Sequence, residues 1–392
     1  MICDRTIICV ASRWDLDPTS KHQIMKRLAQ RNRVIWVNYH GMRRPTLSLM
    51  DLRAASSAMV RVLRGARRVN GSMVQFTPLL IPGVQNSRLR RISRGAVLAQ
   101  IRRVMKRLNG WAAQPVQIWA FAPDVAYLAG QFDEECFVYY CVDEFSQFEG
   151  CDSGAIRNSE RDMLANADVV ITTSEALYQA KRLVHANTHL VRHGVDVDHF
   201  TRALMPGIER PSDLKGLEGP IVGFFGLFHH WIDVELIAEV AERLPHAQFV
   251  LIGDANMDLK VLRRRPNIRL LGRRPYETLP AYCAAFDVAI LPFRCNAMTR
   301  TINPIKLREY LAAGLPVVST PLPEAMRYVP EVTIASNVDD FAEACRVHLQ
   351  SNGISDRVRR SRCVRSETWE STIERLSTII MDGSPVGLKV KG

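Results

Sequence analysis

Long apolar runs are missing from this sequence of 392 residues, although 47% of its residues are hydrophobic. No stretch approaches the roughly 20 consecutive apolar residues that a membrane-spanning helix requires. The first apolar run, Thr6–Ala11, is far too short for the core of a secretory signal peptide followed by a cleavage site. We therefore expect a protein that is soluble or bound to a membrane surface, with enough apolar residues for two domain cores.

The cysteines also lack the regular spacing that is typical of disulfide-rich domains or zinc sites. The nine cysteines are an odd number, and after Cys136 and Cys141 no second pair follows with the spacing of a zinc site. Scattered thiols are typical of a reduced, cytosolic protein. We accordingly expect no disulfide framework, no metal site and a cytoplasmic location.

Acidic residues are nearly absent from residues 41–110. This segment holds fifteen Lys and Arg against one acid, Asp51, a local net charge of +14 in a chain whose net charge is +12. Such an excess predicts an anionic partner. Within it, residues 87–108 place apolar residues at helical spacing between arginines, which is typical of a helix on an anionic bilayer. The apolar stripe could instead complete the domain core, and both can hold at once.

Two other absences narrow the function. The basic residues lack the interleaved aromatic residues on which bases stack, so we expect no nucleic-acid partner. No G-x-G-x-x-G follows the first strand, which argues against a Rossmann dehydrogenase.

The sequence shows an alternation of β-strands and α-helices that runs through residues 1–200. It is interrupted by a Pro- and Gly-rich linker and restarts over residues 217–365. We predict an α/β protein of two domains with parallel sheets, a cleft between them and a final helix over residues 366–383.

The most informative stretch is residues 303–319. We predict Asn303 as the N-cap of a helix, Pro304 as its first residue and Gly314 as its end. The helix dipole disfavours a cation in the first turn, so Lys306 makes sense if an anion such as a diphosphate binds there. Glu309, on the same face, could accept hydrogen bonds from a ribose diol. The alternative is an ordinary capped helix with an exposed Lys–Glu pair.

This stretch closely resembles the nucleotide-binding segment of the group-1 glycosyltransferases, whose pattern is near P-x-K-x-x-E-Y-x-A-x-G-x-P-V-V. The flanks agree: residues 190–200 resemble the interdomain N-G-V-D…F, with His193 in place of Asn, and residues 365–376 resemble the terminal helix. The resemblance implies the GT-B fold, in which two Rossmann-like domains face each other across a cleft and the C-terminal helix crosses back to the first domain. It implies an enzyme that transfers a sugar from a nucleotide-sugar, with uridine favoured over guanosine as the base.

The resemblance also implies roles for single residues. Lys306 would clamp the diphosphate, Glu309 would bind the ribose, and Gly226 would allow close approach of the diphosphate. No cofactor is implied, because GT-B enzymes generally need no metal. The donor-binding residues that it implies are Gly226, Arg273, Phe293, Pro304, Lys306 and Glu309.

One position departs from the family. Retaining members commonly carry E-x7-E, and the first Glu is replaced here by Thr301. The chain is similar in this respect to xanthan glucuronosyltransferase-like enzymes, which are inverting, and it also resembles teichuronic acid-type polysaccharide glycosyltransferases. Inversion needs a general base, and a predicted strand ends in Asp143 and Glu144, whose side chains should point to opposite sides. We favour Asp143, as in the similar group; the alternative is a helix-capping acid.

Lys21 and His22, after the first strand, fall where the family shapes its acceptor pocket; the alternative is a polar loop in which Ser20 is an N-cap. We expect a glycosyltransferase that acts on a lipid-linked or saccharide acceptor in cell-surface polysaccharide or glycolipid synthesis, at the inner face of the membrane. Two alternatives stay open: a nucleotide-sugar epimerase on the same fold, and a basic protein that binds anionic surfaces or nucleic acid.

Overall fold

The computed structural model describes residues 1–15, 18–39, 57, 59–80, 87–108, 114–148, 150–350 and 353–383. The chain forms two compact units: Met1–Arg192 together with Thr372–Gly392, and His193–Ser371. Among the residues described, no helix is both long and apolar enough to cross a membrane.

The first unit is built around a sheet of strands in the order β3-β4-β2-β1-β5-β6-β7-β8. Every neighbouring pair is parallel except β3 and β4. The central strands are buried along their whole length, because a parallel sheet is covered on both faces. The strands are β1 (Thr6–Ala11), β2 (Arg33–Asn38), β3 (Arg67–Arg68), β4 (Met73–Phe76), β5 (Val116–Ala120), β6 (Cys136–Cys141), β7 (Val169–Thr172) and β8 (Thr188–Leu190).

The second unit is built around an all-parallel sheet in the order β11-β10-β9-β12-β13-β14. This is the order of the doubly wound nucleotide-binding folds, whose strand order reverses at a switch point. Here the switch point lies between β9 and β12. The strands are β9 (Ile221–Phe225), β10 (Gln248–Ile252), β11 (Ile268–Gly272), β12 (Val288–Leu291), β13 (Val317–Ser319) and β14 (Val332–Ile334).

Helices alternate with these strands, which confirms the predicted α/β class. The bounds are α1 (Ser20–Leu28), α2 (Ser87–Arg107), α3 (Ser153–Asn166), α4 (Glu175–Lys181), α5 (Val197–Phe200), α6 (Val234–Arg243), α7 (Lys260–Arg263), α8 (Leu279–Ala285), α9 (Ile305–Ala312), α10 (Pro323–Met326), α11 (Val338–Gln350), α12 (Ile354–Cys363) and α13 (Trp369–Gly383). Short 3-10 turns lie at Ala126–Leu128, Phe145–Gln147, Thr201–Leu204, Ser212–Leu214 and Tyr276–Thr278.

The apolar stripe of the basic helix α2 is buried along one part of the helix and exposed along another. Val97 and Ile101 are buried in the core of the first unit. Leu89 and Ile92, two turns earlier, are 49% and 66% exposed. The second half of the helix therefore completes the core, and the first half presents apolar side chains to the surroundings.

Candidate functional site

The helix α9 begins one residue later than the sequence suggested. Its N-cap is Pro304, whose side chain cannot cap a helix, and its first residue is Ile305. The prediction of Asn303 as the N-cap is wrong, because its Oδ1 accepts a hydrogen bond from Arg308 Nη1 at 2.7 Å. Gly314 ends the helix as predicted: its φ is +77°, and a Cβ there would lie 2.6 Å from the Arg357 carbonyl oxygen. The amino end of α9 thus has no side-chain cap from its own N-cap residue.

The helix α9 packs against the carboxyl end of β9. The Tyr310 hydroxyl accepts a hydrogen bond from the Phe225 backbone N–H at 2.8 Å. The Lys306 ammonium lies 4.9 Å from the centre of the Phe225 ring, close enough for a cation–π contact. Lys306 therefore lies beside the switch point, where doubly wound sheets bind their ligands.

Glu309 lies next to Lys306 and is almost completely buried, with a side chain 4% exposed. Its Oε2 is 3.0 Å from Lys306 Nζ, but the contact lacks hydrogen-bond geometry. Within the described part of the chain this oxygen has no hydrogen-bond partner. A buried acceptor without a donor is unusual in a folded protein. The carboxylate can therefore still accept a hydroxyl donor.

Gly226, predicted to lie near the diphosphate, follows β9 directly, and its N–H donates to the Ile252 carbonyl at 2.9 Å. The neighbouring Gly253 approaches it closely, since a Cβ on Gly253 would lie 1.8 Å from the Gly226 carbonyl oxygen. No role was predicted for Gly253, although a glycine after a buried strand is a signal for such an approach. The two loops can therefore lie against each other only because residue 253 is a glycine.

A pocket of about 380 Å³ opens beside these glycines, at the carboxyl ends of β10 and β11. Phe228, Asp254, Arg263 and Gly272 contribute to its walls. Arg273, predicted to lie near the base, follows Gly272 and is exposed. Its role stays a prediction.

Phe293, the second residue predicted near the base, follows β12 and is 9% exposed. It forms an isolated antiparallel bridge with Ile232. Its ring is therefore mostly covered by the protein, and a contact with the base stays a prediction. Thr301, at the position of the missing Glu, donates its hydroxyl to the Met298 carbonyl at 2.7 Å.

In the first unit, the two acids after β6 have different surroundings. Glu144 accepts a hydrogen bond at each carboxylate oxygen, from Ser146 Oγ at 2.7 Å and from Lys181 Nζ at 2.8 Å. Burial acts to raise the pKa of Glu144, but these hydrogen bonds outweigh it and lower that pKa. Glu144 is thus held as an ionised structural group, which leaves it poorly suited to the catalytic role also considered for it.

The carboxylate of Asp143 makes no hydrogen bond or ion pair with any residue that the structure describes. Burial raises the pKa of Asp143 to about 6, and the positive charge of Lys21 acts in the opposite direction. A carboxylate with a pKa near neutrality is suited to general-base catalysis. Lys21 lies in the first turn of α1, and burial lowers its pKa while Asp143 acts to raise it.

His22 is held by the loop before α1. Its Nδ1 accepts a hydrogen bond from the Thr19 N–H at 3.1 Å, and its Nε2 lies 3.2 Å from the Arg13 carbonyl oxygen. The ring contacts those of Trp14 and Trp36, with centroids 5.3 and 5.0 Å away. Burial, followed by the charge of Lys21, lowers the pKa of His22 to about 4. Both ring nitrogens are occupied, so the ring has none left for the predicted acceptor contact.

The N-cap of α1 is Thr19, so the alternative reading of Ser20 as N-cap was wrong. Two buried charge networks were not predicted either. Lys181 Nζ lies 2.7 Å from Glu160 Oε2 as well as contacting Glu144. Arg308, which is 0% exposed, donates from Nε to Glu367 at 2.7 Å. Their partners lie far apart in sequence, so no local spacing could have indicated them.

The comparison with protein families matches residues 219–351 to the family described as "Glycosyl transferases group 1". A similar curated protein is the putative teichuronic acid biosynthesis glycosyltransferase TuaH of Bacillus subtilis (strain 168). It is 26% identical over 283 residues, which cover 66% of this chain and 70% of that protein.

Among solved structures, the sucrose-phosphate synthase from Thermosynechococcus elongatus is similar with a TM-score of 0.68 at 15% identity, over 96% of this chain and 98% of that one. The crystal structure of Anabaena Alr3699/HepE in complex with UDP-glucose gives a TM-score of 0.68 at 14% identity, over 96% and 99%. These likenesses confirm the predicted fold of two Rossmann-like domains. The family match therefore shows a group-1 glycosyltransferase domain over residues 219–351, and the solved structures show the GT-B fold.

Proposed function

We propose that this enzyme transfers a sugar from a UDP-sugar, rather than a GDP-sugar, to a lipid-linked or saccharide acceptor in cell-surface polysaccharide or glycolipid synthesis. The observation that carries the proposal is the position of Lys306 at the uncapped amino end of α9, beside the switch point of the second sheet. The choice of uridine is supported by the similar Anabaena protein, which was crystallised with UDP-glucose.

The donor's diphosphate would bind between the Lys306 ammonium and the first backbone N–H groups of α9, since both attract an anion. The ammonium now lies 3.0 Å from Glu309 and would be shared with the phosphate oxygens. Glu309 Oε2, which is paired with the Lys306 ammonium but makes no hydrogen bond within the described residues, would accept a hydrogen bond from a ribose hydroxyl. Because the lysine and the helix end supply positive charge to the leaving group, we propose transfer without a metal cofactor.

Transfer would invert the anomeric carbon. The acceptor hydroxyl attacks that carbon, its proton passes to Asp143, and the bond between the sugar and the diphosphate breaks with its electrons leaving on the nucleotide. Asp143 is the better candidate base of the two acids after β6, because Glu144 is already bonded at both oxygens.

The acceptor would be reached from an anionic membrane surface on the cytoplasmic side. The segment 41–110 includes residues that the structure does not describe, but its described part combines exposed arginines with exposed apolar side chains. Leu63, Leu89 and Ile92 are 79%, 49% and 66% exposed. Arg88, Arg90 and Arg91, which flank Leu89 and Ile92 in the sequence, are exposed too. Arginines supply attraction to anionic lipids, and the apolar side chains supply insertion.

Thermal unfolding in the presence of UDP, GDP and ADP tests the donor site. We expect UDP to raise the Tm of the wild type, because a ligand that binds only the folded state stabilises it. K306A should lose this increase. K260A is the matched control, since Lys260 is also paired with a carboxylate, Asp258 at 3.3 Å, but is highly exposed. An undiminished increase with K306A would overturn the donor site.

Flotation with liposomes tests the membrane surface separately. We expect binding to vesicles with phosphatidylglycerol and none to neutral phosphatidylcholine vesicles at the same ionic strength. Equal binding to both would remove the anionic surface from the proposal without affecting the donor site.

A further inference from the structure

The loop that follows β9, residues 226–233, crosses the switch point and is fixed at both ends. At one end, Phe228 is buried and donates its backbone N–H to the Asp254 carbonyl, after β10, at 2.9 Å. At the other end, the Asp233 N–H donates to the Pro292 carbonyl, after β12, at 2.8 Å. The Arg294 N–H donates to the Trp231 carbonyl, also at 2.8 Å. The loop is therefore fastened to the carboxyl ends of the strands on both sides of β9.

Between these fastenings the loop carries three consecutive rings. His229 and Trp231 are stacked, with centroids 4.1 Å apart and planes 13° from parallel. His230 meets both rings edge-on, at 4.4 and 5.1 Å. All three residues are partly exposed, whereas Phe228 and Ile232 on either side are 1% exposed. The buried neighbours hold the loop, so the three rings are not needed to fill the core.

The donor site lacks the carboxylate that retaining members of the family place near the sugar. That position is Thr301 in this chain, and its hydroxyl donates a hydrogen bond to the Met298 carbonyl. A sugar ring next to the diphosphate therefore needs contacts from another element at the same edge of the sheet. The loop starts directly after Phe225, whose ring contacts Lys306.

We propose that His229, His230 and Trp231 form the platform for the sugar ring of the donor. This rests on the proposed function, since it assigns the part of the donor beyond the diphosphate. The C–H groups on one face of a pyranose are apolar and pack against an indole ring. His229, whose Nδ1 accepts the His230 backbone N–H at 3.0 Å, stacks on the indole of Trp231 and holds it in place. A stacked ring pair on a fastened loop is preorganised and loses little freedom on binding.

Isothermal titration calorimetry with UDP and with four UDP-sugars (glucose, galactose, N-acetylglucosamine and glucuronic acid) tests the platform. The measured quantity is the ratio of the Kd for UDP to the Kd for each UDP-sugar, because it isolates the contribution of the sugar. We expect a ratio above one for at least one sugar in the wild type. In W231A that ratio should fall about tenfold, as when one apolar contact to a substrate is removed, while the Kd for UDP stays within twofold.

Retained binding of UDP shows that W231A is folded, and W231F should keep most of the ratio because it keeps a ring. M326A is the matched control, since Met326 is an apolar side chain of the same unit with 47% exposure. An unchanged ratio in W231A, or no ratio above one in the wild type, would overturn the platform. A wild type that binds no UDP would instead overturn the proposed UDP-sugar donor, and the platform with it.

Discussion

Each unit places a lysine at the second position of a helix that begins at the carboxyl edge of its sheet, Lys21 in α1 and Lys306 in α9. The two helix ends differ in the side chains that occupy the first turn around the lysine. The start of α1 is filled by the ring of His22, which reaches back to the Thr19 N–H. The N-cap of α9 is Pro304, whose side chain makes no capping hydrogen bond. A cation in a first turn therefore indicates an anion site only where the helix end itself is open.

The carboxylates near the two lysines differ as well. Lys306 lies 3.0 Å from Glu309, whereas Lys21 makes no ion pair within the described residues and affects Asp143 only through its charge. The second unit thus combines an open helix end with a fixed ion pair, which suits binding. The first combines a closed helix end with an unbonded carboxylate, which suits proton transfer.

The largest effect is expected from D143N. The asparagine cannot accept the acceptor's proton, so turnover should fall by about 10²–10⁴-fold, while the Kd for UDP stays unchanged. Release of UDP from a UDP-sugar in the presence of a lipid-linked acceptor measures turnover, with D162N, on the exposed face of α3, as the control. Full activity of D143N would show that the first unit does not supply the general base through Asp143, and the proposed division into a binding unit and a proton-transfer unit would be wrong.

D143N should also be more thermostable than the wild type at pH 8. The folded protein raises the pKa of Asp143 to about 6, above its ordinary value near 4. Ionisation therefore costs stability above pH 6, and the cost disappears as the pH falls below 6. The difference in Tm between the two proteins should accordingly narrow in acid, and a constant difference would contradict the raised pKa.

The next largest effect is expected from breaking the charge network of Lys181, Glu144 and Glu160. Glu144 lies next to Asp143 in the sequence, and the network holds the end of β6. K181M leaves Glu144 and Glu160 buried without their shared cation, and breaking a buried ion pair in this way costs about 3–5 kcal/mol. We expect urea unfolding at pH 7 to show a loss of this size. E160Q combined with K181M should recover part of it, because one buried charge is removed. A loss below 1 kcal/mol would show that the network is not needed to hold the strand end.

K306A compared with K21A tests the two helix ends directly. Loss of a charged hydrogen bond to the diphosphate should weaken the binding of UDP about tenfold to a hundredfold in K306A, whereas K21A should bind UDP as the wild type does. Calorimetric titration of both variants gives the answer. Equal losses would mean that both lysines serve the nucleotide.

The two regions also differ in how far the sequence predicted them. The first strand has the bounds of the apolar run Thr6–Ala11, because a short run of buried apolar residues before a helix has few other interpretations. The Lys306–Glu309 pair was predictable from its spacing on one helix. The short strands β3, β4 and β8 and, among the longer helices, α3, α4, α11 and α12 were not predicted.

The surroundings of the candidate base were not predictable in the same way. That Glu144 is bonded while Asp143 is not depends on Lys181, 37 residues further along the chain. His22 was predicted to contact the acceptor, but in the folded protein its Nε2 lies next to the Arg13 carbonyl oxygen. A site on one helix is a local feature of the sequence, whereas a site assembled from strand ends depends on long-range contacts.

The smallest effect is expected from K21M, and it tests whether Lys21 acts on Asp143 at all. The positive charge lowers the pKa of Asp143 against the effect of burial, so its removal should raise that pKa. The acid limb of kcat/KM, expected near pH 6 in the wild type, should move to higher pH by less than one unit. K21R should restore it, because the charge returns on a different side chain. Cys9, which also lies near Lys21, stays neutral throughout, since burial raises the pKa of its thiol well above the ordinary value. If the acid limb does not move in K21M, Lys21 does not tune the pKa of Asp143. The lysine of the first unit would then neither bind the nucleotide nor assist the base, in contrast to Lys306.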